Sequence, residues 1–131
     1  EDAYGAAEAL QRYLASGAPP ERVTISSDAG GCLPCFDADG RVCGMDVGSA
    51  GALLAAMREL LGAGMALEAM LPAFTSNPAR VLRLPDKGKI VAGADADLVA
   101  LDATGGADTV IIRGAVHVRG GRAVRRGTFE S

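Results

Sequence analysis

The chain has 131 residues, with 13 Lys and Arg against 16 Asp and Glu for a formal charge of −3; 49% of it is apolar and 22% charged. That composition fits one soluble globular domain or a piece of a larger one, and it excludes a disordered polymer or a protein built to hold phosphate backbones. The longest apolar runs, Gly51–Met57 and Gly62–Leu67, fall far short of the roughly 20 residues a bilayer requires, so neither nucleic acid nor a membrane is an expected partner.

In the first segment, Asp2 to Ser16, Ala6, Leu10, Tyr13 and Leu14 share one face, and Gly17 with Pro19-Pro20 ends it, which predicts an amphipathic helix. The β-branched run Arg22–Ser27 predicts a short buried strand that stops at Asp28-Ala29-Gly30-Gly31. Helix, loop and strand in that order make one step of an α/β repeat. Asp37-Ala38-Asp39-Gly40 predicts a hairpin turn between Phe36 and Arg41–Met45. It is not a calcium loop, since the twelfth position counted from Asp37 is Gly48 and not a bidentate Glu.

Ser49 is placed to cap a helix striped by Leu53, Leu54, Met57, Leu60 and Leu61. A second helix is expected over about Ala66–Phe74, and a third, capped by Asn77 ahead of Pro78, through Val81-Leu82. After Pro85 the period changes to two. Lys89–Val91, Leu98–Leu101, Thr109–Arg113 and Val116–Arg119 read as strands, the last joined through Gly120-Gly121 to Arg122–Arg125.

An acid just past the C-terminal end of a strand, followed by glycines, stands where α/β barrels place catalytic groups. Asp28 is that residue, although spacing alone favours an Asp that caps the turn. Cys32-Leu33-Pro34-Cys35 has the spacing of a redox pair or half a zinc site, but it lacks the helix N-terminus of the first and the second close pair of the other. The three cysteines Cys32, Cys35 and Cys43 make no disulfide framework, and a reducing, cytoplasmic setting is expected. The single histidine, His117, alternates with Val116 and Val118 and reads as a sheet residue. Asp95 and Asp97 read as turn acids, and Arg122, Arg125 and Arg126 as a solvated sheet edge.

The string Thr24–Gly31, with Leu33-Pro34, Phe36-Asp37, Gly44, Thr75–Ala79, Gly88–Ile90 and Gly93–Val99, resembles the end of a metal-dependent amidohydrolase. The Ser26-Ser27-Asp28 loop and its Leu33-Pro34-x-Phe36-Asp37 continuation resemble the isoaspartyl dipeptidases within that superfamily, and Val124–Glu130 is similar to their natural C-terminus. The resemblance spans essentially the whole chain but only about the last third of such an enzyme. Glu1 opens the chain without an initiator Met and close to a helical pattern, which fits a cut N-terminus.

The resemblance implies an α/β fold, the C-terminal part of a (β/α)8 barrel over residues 1–84, followed by strands of a small β-sandwich domain over 85–131. It implies hydrolysis of the β-aspartyl amide bond of dipeptides by an enzyme holding two zinc ions, with most ligands outside this chain. Asp28 matches the Asp that binds metal and moves the proton, and Gly30, Gly31 and Cys32 match the substrate end of the same loop. Cys32 stands where Ser is common in these enzymes, and Ala29 where Gly is common. The implied partners are a small peptide substrate, the missing N-terminal part of the enzyme and further copies in a homo-oligomer. A D-aminoacylase, an amino-sugar deacetylase or a fragment with no activity of its own are the competing readings.

Overall fold

A computed structural model describes residues 5–127. Helix α1, Ala6–Ala15, is followed by a single 3-10 turn, Pro20–Arg22. Strands β1 (Cys32–Phe36) and β2 (Val42–Val47) form an antiparallel hairpin, and helices α2 (Ala52–Gly62), α3 (Leu67–Phe74) and α4 (Ser76–Val81) follow. Strands β3 (Leu98–Leu101), β4 (Ala107–Ile112), β5 (Ala115–Arg119) and β6 (Arg122–Ala123) then make one antiparallel sheet in chain order. The chain is therefore a mixed helix and sheet structure. The expected helix residues Asp2–Tyr4, and Thr128–Glu130 of the C-terminal motif, lie outside the described residues.

The core sits where α1, α2 and α3 meet. Ala7 and Leu10, Ala56 and Leu60, and Met70 and Ala73 form one buried cluster, and Leu14, Val23, Ile25, Met57 and Phe74 pack against it. Leu10, Leu60 and Met70 carry most of it, because full burial of such a side chain stabilises by about 1.5–3 kcal/mol while the alanines let helix backbones approach. The inward stripe of α1 differs by one residue from expectation: Ala7 is buried and Ala6 exposed.

Four other local expectations differ. Val23–Ser27 is extended but is not a strand, since among the described residues no ladder forms along it; the Ile25 N–H ties it to the helices by donating to Ala73 O at 3.1 Å. Ser49 does not cap α2, whose N-cap is Gly51; its Oγ instead accepts from the Gly51 N–H at 3.2 Å. Asn77 is not the cap of α4 either, because the helix starts at Ser76 and the amide side chain reaches away to Pro20 and Val23. Lys89–Val91 is not a strand, and Ile90 is 86% exposed.

At the β1–β2 turn and at Gly120-Gly121, sequence and structure coincide. Asp37 Oδ1 accepts from the N–H groups of Asp39 at 3.0 Å and Arg41 at 2.8 Å, closing the β1–β2 turn. In the larger sheet Arg113-Gly114 and Gly120-Gly121 both have positive φ, the backbone that matches two-residue hairpins to strand twist. Arg113, expected as the last residue of a strand Thr109–Arg113, instead turns at φ +47°, because its N–H donates to Asp97 Oδ1 at 2.7 Å. The other oxygen of Asp97 binds Lys87 Nζ at 2.5 Å, and Lys87 also reaches Asp95 Oδ2 at 2.7 Å. The loop 86–97 is thereby fastened to the β4–β5 turn, which gives the Asp95 and Asp97 pair a structural use.

Candidate functional site

Asp28 stands at the tip of the extended segment that leaves the helical core. Val23 and Ile25 turn inward while Thr24, Ser26 and Asp28 face out, the period-two pattern of an extended chain. At Asp28 the backbone enters the left-handed region, φ +47°, where Asp is among the few side chains tolerated without large cost. Two serines fasten the bend: Ser26 Oγ accepts from the Asp28 N–H and Ser27 Oγ from the Ala29 N–H, both at 3.3 Å. Ala29 is not among the positive-φ residues, so a Cβ there is accommodated.

The glycines that follow have separate tasks. Gly30, at φ +79°, supplies the turn, and a Cβ on it would meet open space. Gly31 supplies room: a Cβ there would lie 2.6 Å from Asp28 Oδ1 and 2.8 Å from its Cγ and Oδ2. The Gly31 N–H donates to Asp28 O at 2.9 Å. Across the hairpin base, the Gly30 N–H donates to Gly48 O and the Gly48 N–H to Gly31 O, each at 2.9 Å. A Cβ on Gly48 would fall 1.9 Å from Asp28 O. Asp28 thus rests on a pair of facing glycines at the root of β1–β2. Gly48 is the member that sequence reading overlooked, because the contact spans 20 positions and leaves no local motif.

Cys32 opens β1, is exposed, and pairs with Val47 across the hairpin. Cys35 lies three residues along the same strand, so the two thiols of Cys32-Leu33-Pro34-Cys35 project to opposite faces. Cys43 falls at the hairpin bulge, with Sγ 3.4 Å from Cys35 O. His117 is half-buried in β5, and Arg122 lies on the exposed edge strand β6.

The structure thus brings Asp28, Gly30, Gly31 and Cys32 into one short loop and leaves His117 and Asp95 elsewhere. Among the described residues, no group of three or more His, Cys, Asp and Glu side chains could hold a metal ion. One carboxylate without imidazole neighbours does not by itself fit a zinc site.

The amidohydrolase family model matches residues 6–119. The chain belongs to the amidohydrolase family. The amidohydrolase family is generally metal-dependent. Two solved structures of β-aspartyl dipeptidase from thermophilic keratin-degrading Fervidobacterium islandicum AW-1 are similar to it. One, in complex with a β-Asp-Leu dipeptide, is 37% identical with a TM-score of 0.84, over 99% of this chain and 33% of that one. The other is 32% identical with a TM-score of 0.77, over 98% of this chain and 31% of that one. An N-acetylglucosamine-6-phosphate deacetylase from Thermotoga maritima, at 20% identity and a TM-score of 0.64 over 86% of this chain and 35% of that one, shares the fold. This amidohydrolase chain therefore spans about one third of the length of the dipeptidases it matches.

Proposed function

We propose that this chain is the C-terminal part of a β-aspartyl dipeptidase, and that Asp28 is its proton-transferring carboxylate. The observation that carries this reading is the placement of Asp28: exposed at the tip of an extended segment, on a floor of two glycines where any other side chain would displace it. Similarity to the dipeptidases at 37% and 32% identity supports the substrate class, against 20% for the amino-sugar deacetylase.

In the proposed reaction, water adds to the β-carbonyl carbon of the aspartyl residue while Asp28 accepts its proton. The C–N bond then breaks, and Asp28 gives that proton to the departing amine. A carboxylate that receives and returns one proton is unchanged at the end of the cycle, the usual arrangement of general acid–base catalysis. Two zinc ions, when bound, would polarise the carbonyl and acidify the water. Asp28 is proposed as one of their ligands, with the others supplied from outside this chain. Gly30, Gly31 and Cys32 are proposed to border the bound dipeptide, Cys32 offering a weaker hydrogen-bond donor than the Ser common at its place.

The assignment of residues 1–84 to a (β/α)8 barrel and of 85–131 to a small β domain belongs to the same proposal. The unladdered segment Val23–Ser27 supports it, since a barrel strand has partners on both edges. So do the apolar side chains left in solvent, among them Phe36, Met45 and Val47 at 61%, 62% and 65% exposure. Those surfaces are consistent with cover by the N-terminal part of the enzyme and by further copies in a homo-oligomer, which we place in the cytoplasm.

The experiment is to assay the intact enzyme on a β-aspartyl dipeptide, an N-acyl-D-amino acid and an N-acetylated amino-sugar phosphate, following release of aspartate, amino acid or acetate. Cleavage of the β-aspartyl dipeptide alone is the expected result. Preference for either of the other substrates would replace the proposal with the D-aminoacylase or deacetylase reading. Residues 1–131 expressed alone should hold no stoichiometric zinc and release no aspartate.

A further inference from the structure

Asn77 sits within the Thr75–Ala79 string that marks the superfamily, yet nothing in the proposed chemistry uses it. Among the described residues it is the single buried polar side chain, 3% exposed. Its Nδ2 donates to Pro20 O and to Val23 O, each at 2.8 Å, across 57 and 54 positions of sequence. Both N–H groups of one planar amide are spent on carbonyls that flank the root of the segment leading to Asp28. Further along, Arg80 of the same helix donates through Nη2 to Glu21 O, and Ala73 O accepts from the Ile25 N–H.

We infer that Asn77 is a positioning residue for Asp28: the α3–α4 corner, through this one amide, sets the base from which the carboxylate is projected. The inference rests on the reading of Asp28 as the proton-transferring group. A planar donor gripping two carbonyls fixes both their spacing and the direction in which the chain leaves them. From Val23 the chain runs extended for five residues, so Asp28 stands about 15 Å from the grip. At that distance a tilt of about 4° moves the carboxylate by about 1 Å, a displacement that can cost on the order of 10²-fold in rate. Between Ile25 and the glycine floor, the two 3.3 Å serine bonds restrain the segment only locally, which leaves the root and the floor to set the position of the carboxylate.

A purely structural Asn77 would lower stability and leave the turnover of folded molecules alone. The test is a double-mutant cycle in the intact enzyme, reading kcat, KM and the thermal midpoint. Asn77→Asp keeps the shape and removes both donors, while Asn77→Ser avoids a buried carboxylate and carries the experiment should the first variant not fold. The expected result is that each folded Asn77 variant loses about 10- to 100-fold in kcat with KM changed by less than about threefold. In the Asp28→Asn background the same changes should cost less than about twofold, because the group being positioned is already gone. Unchanged kcat despite a lowered thermal midpoint, or equal losses in both backgrounds, overturns the inference while leaving Asp28 in place. An Asp28→Asn enzyme with normal kcat overturns both the inference and the reading beneath it.

Discussion

A Cβ on Gly31 would lie 2.6 Å from Oδ1 of Asp28, closer than real Cβ contacts come. Gly31→Ala must therefore push the carboxylate aside or shift the hairpin base, and in the intact enzyme kcat should fall by about 10²-fold. Gly30→Ala is the control. It meets no atom but must adopt φ +79°, so it should cost about 1 kcal/mol of stability and spare the carboxylate, and since Gly30 is proposed to border the dipeptide any kinetic loss should fall on KM and not on kcat. Steady-state kinetics and thermal unfolding of the two variants check the contrast. Equal kinetic losses at both positions would show that loop flexibility, and not room for Asp28, is what these glycines provide.

The Lys87, Asp95 and Asp97 cluster predicts how stability depends on pH. Asp97 is held below its ordinary value of 3.8, first by the Lys87 hydrogen bond and then by the Arg113 N–H. A depressed carboxyl contributes stability that is present above the unfolded pKa and is lost as pH falls through the folded one. Lys87 is raised above 10.5, chiefly by its bond to Asp95 and then by that to Asp97. Its contribution is present below 10.5 and is lost as pH rises through the higher folded value. Lys87→Met should flatten both edges of a plot of thermal midpoint against pH. A plot unchanged in shape would mean that the cluster is too well solvated to matter.

The two thiols of Cys32-Leu33-Pro34-Cys35 project from opposite faces of β1 and should not form a disulfide with each other. Mild oxidation followed by peptide mapping is expected to yield no linkage between Cys32 and Cys35. Finding that linkage in folded protein would contradict the strand geometry.

Core truncation should be felt at once, because few large side chains fill the interior. Leu60 is 1% exposed and Met70 0%. Either residue changed to Ala should cost about 2–5 kcal/mol, read from denaturant unfolding of the intact enzyme. A loss under about 1 kcal/mol would mean that the helices close over the space.

Local rules were legible in the sequence, and dependence on distant partners was not. The hairpin at Asp37–Gly40 and the two-residue turn at Gly120-Gly121 form because each carries its own side-chain acceptor or left-handed backbone, whereas the Arg113-Gly114 turn, read as the end of a strand, takes its acceptor from Asp97, 16 positions away. Val23–Ser27 has strand composition but no ladder, since a ladder depends on neighbours that composition does not report. Lys89–Val91 alternates only over three residues, and its Ile90 faces solvent. Asn77 beside Pro78 has the local form of a cap, yet its amide is used by carbonyls more than 50 positions away. The same holds at the site. Asp28 and its glycines were readable as a motif, but Gly48 and Asn77 enter only when the chain is folded.

The central claim is that Asp28 moves the proton, and the most direct measurement is kcat of the intact enzyme carrying Asp28→Asn, on a β-aspartyl dipeptide. The amide keeps the size of the side chain and one oxygen but cannot accept a proton from water. The account predicts a loss of at least about 10²-fold in kcat in an Asn variant that is folded. Near-normal kcat in the Asn variant would contradict it.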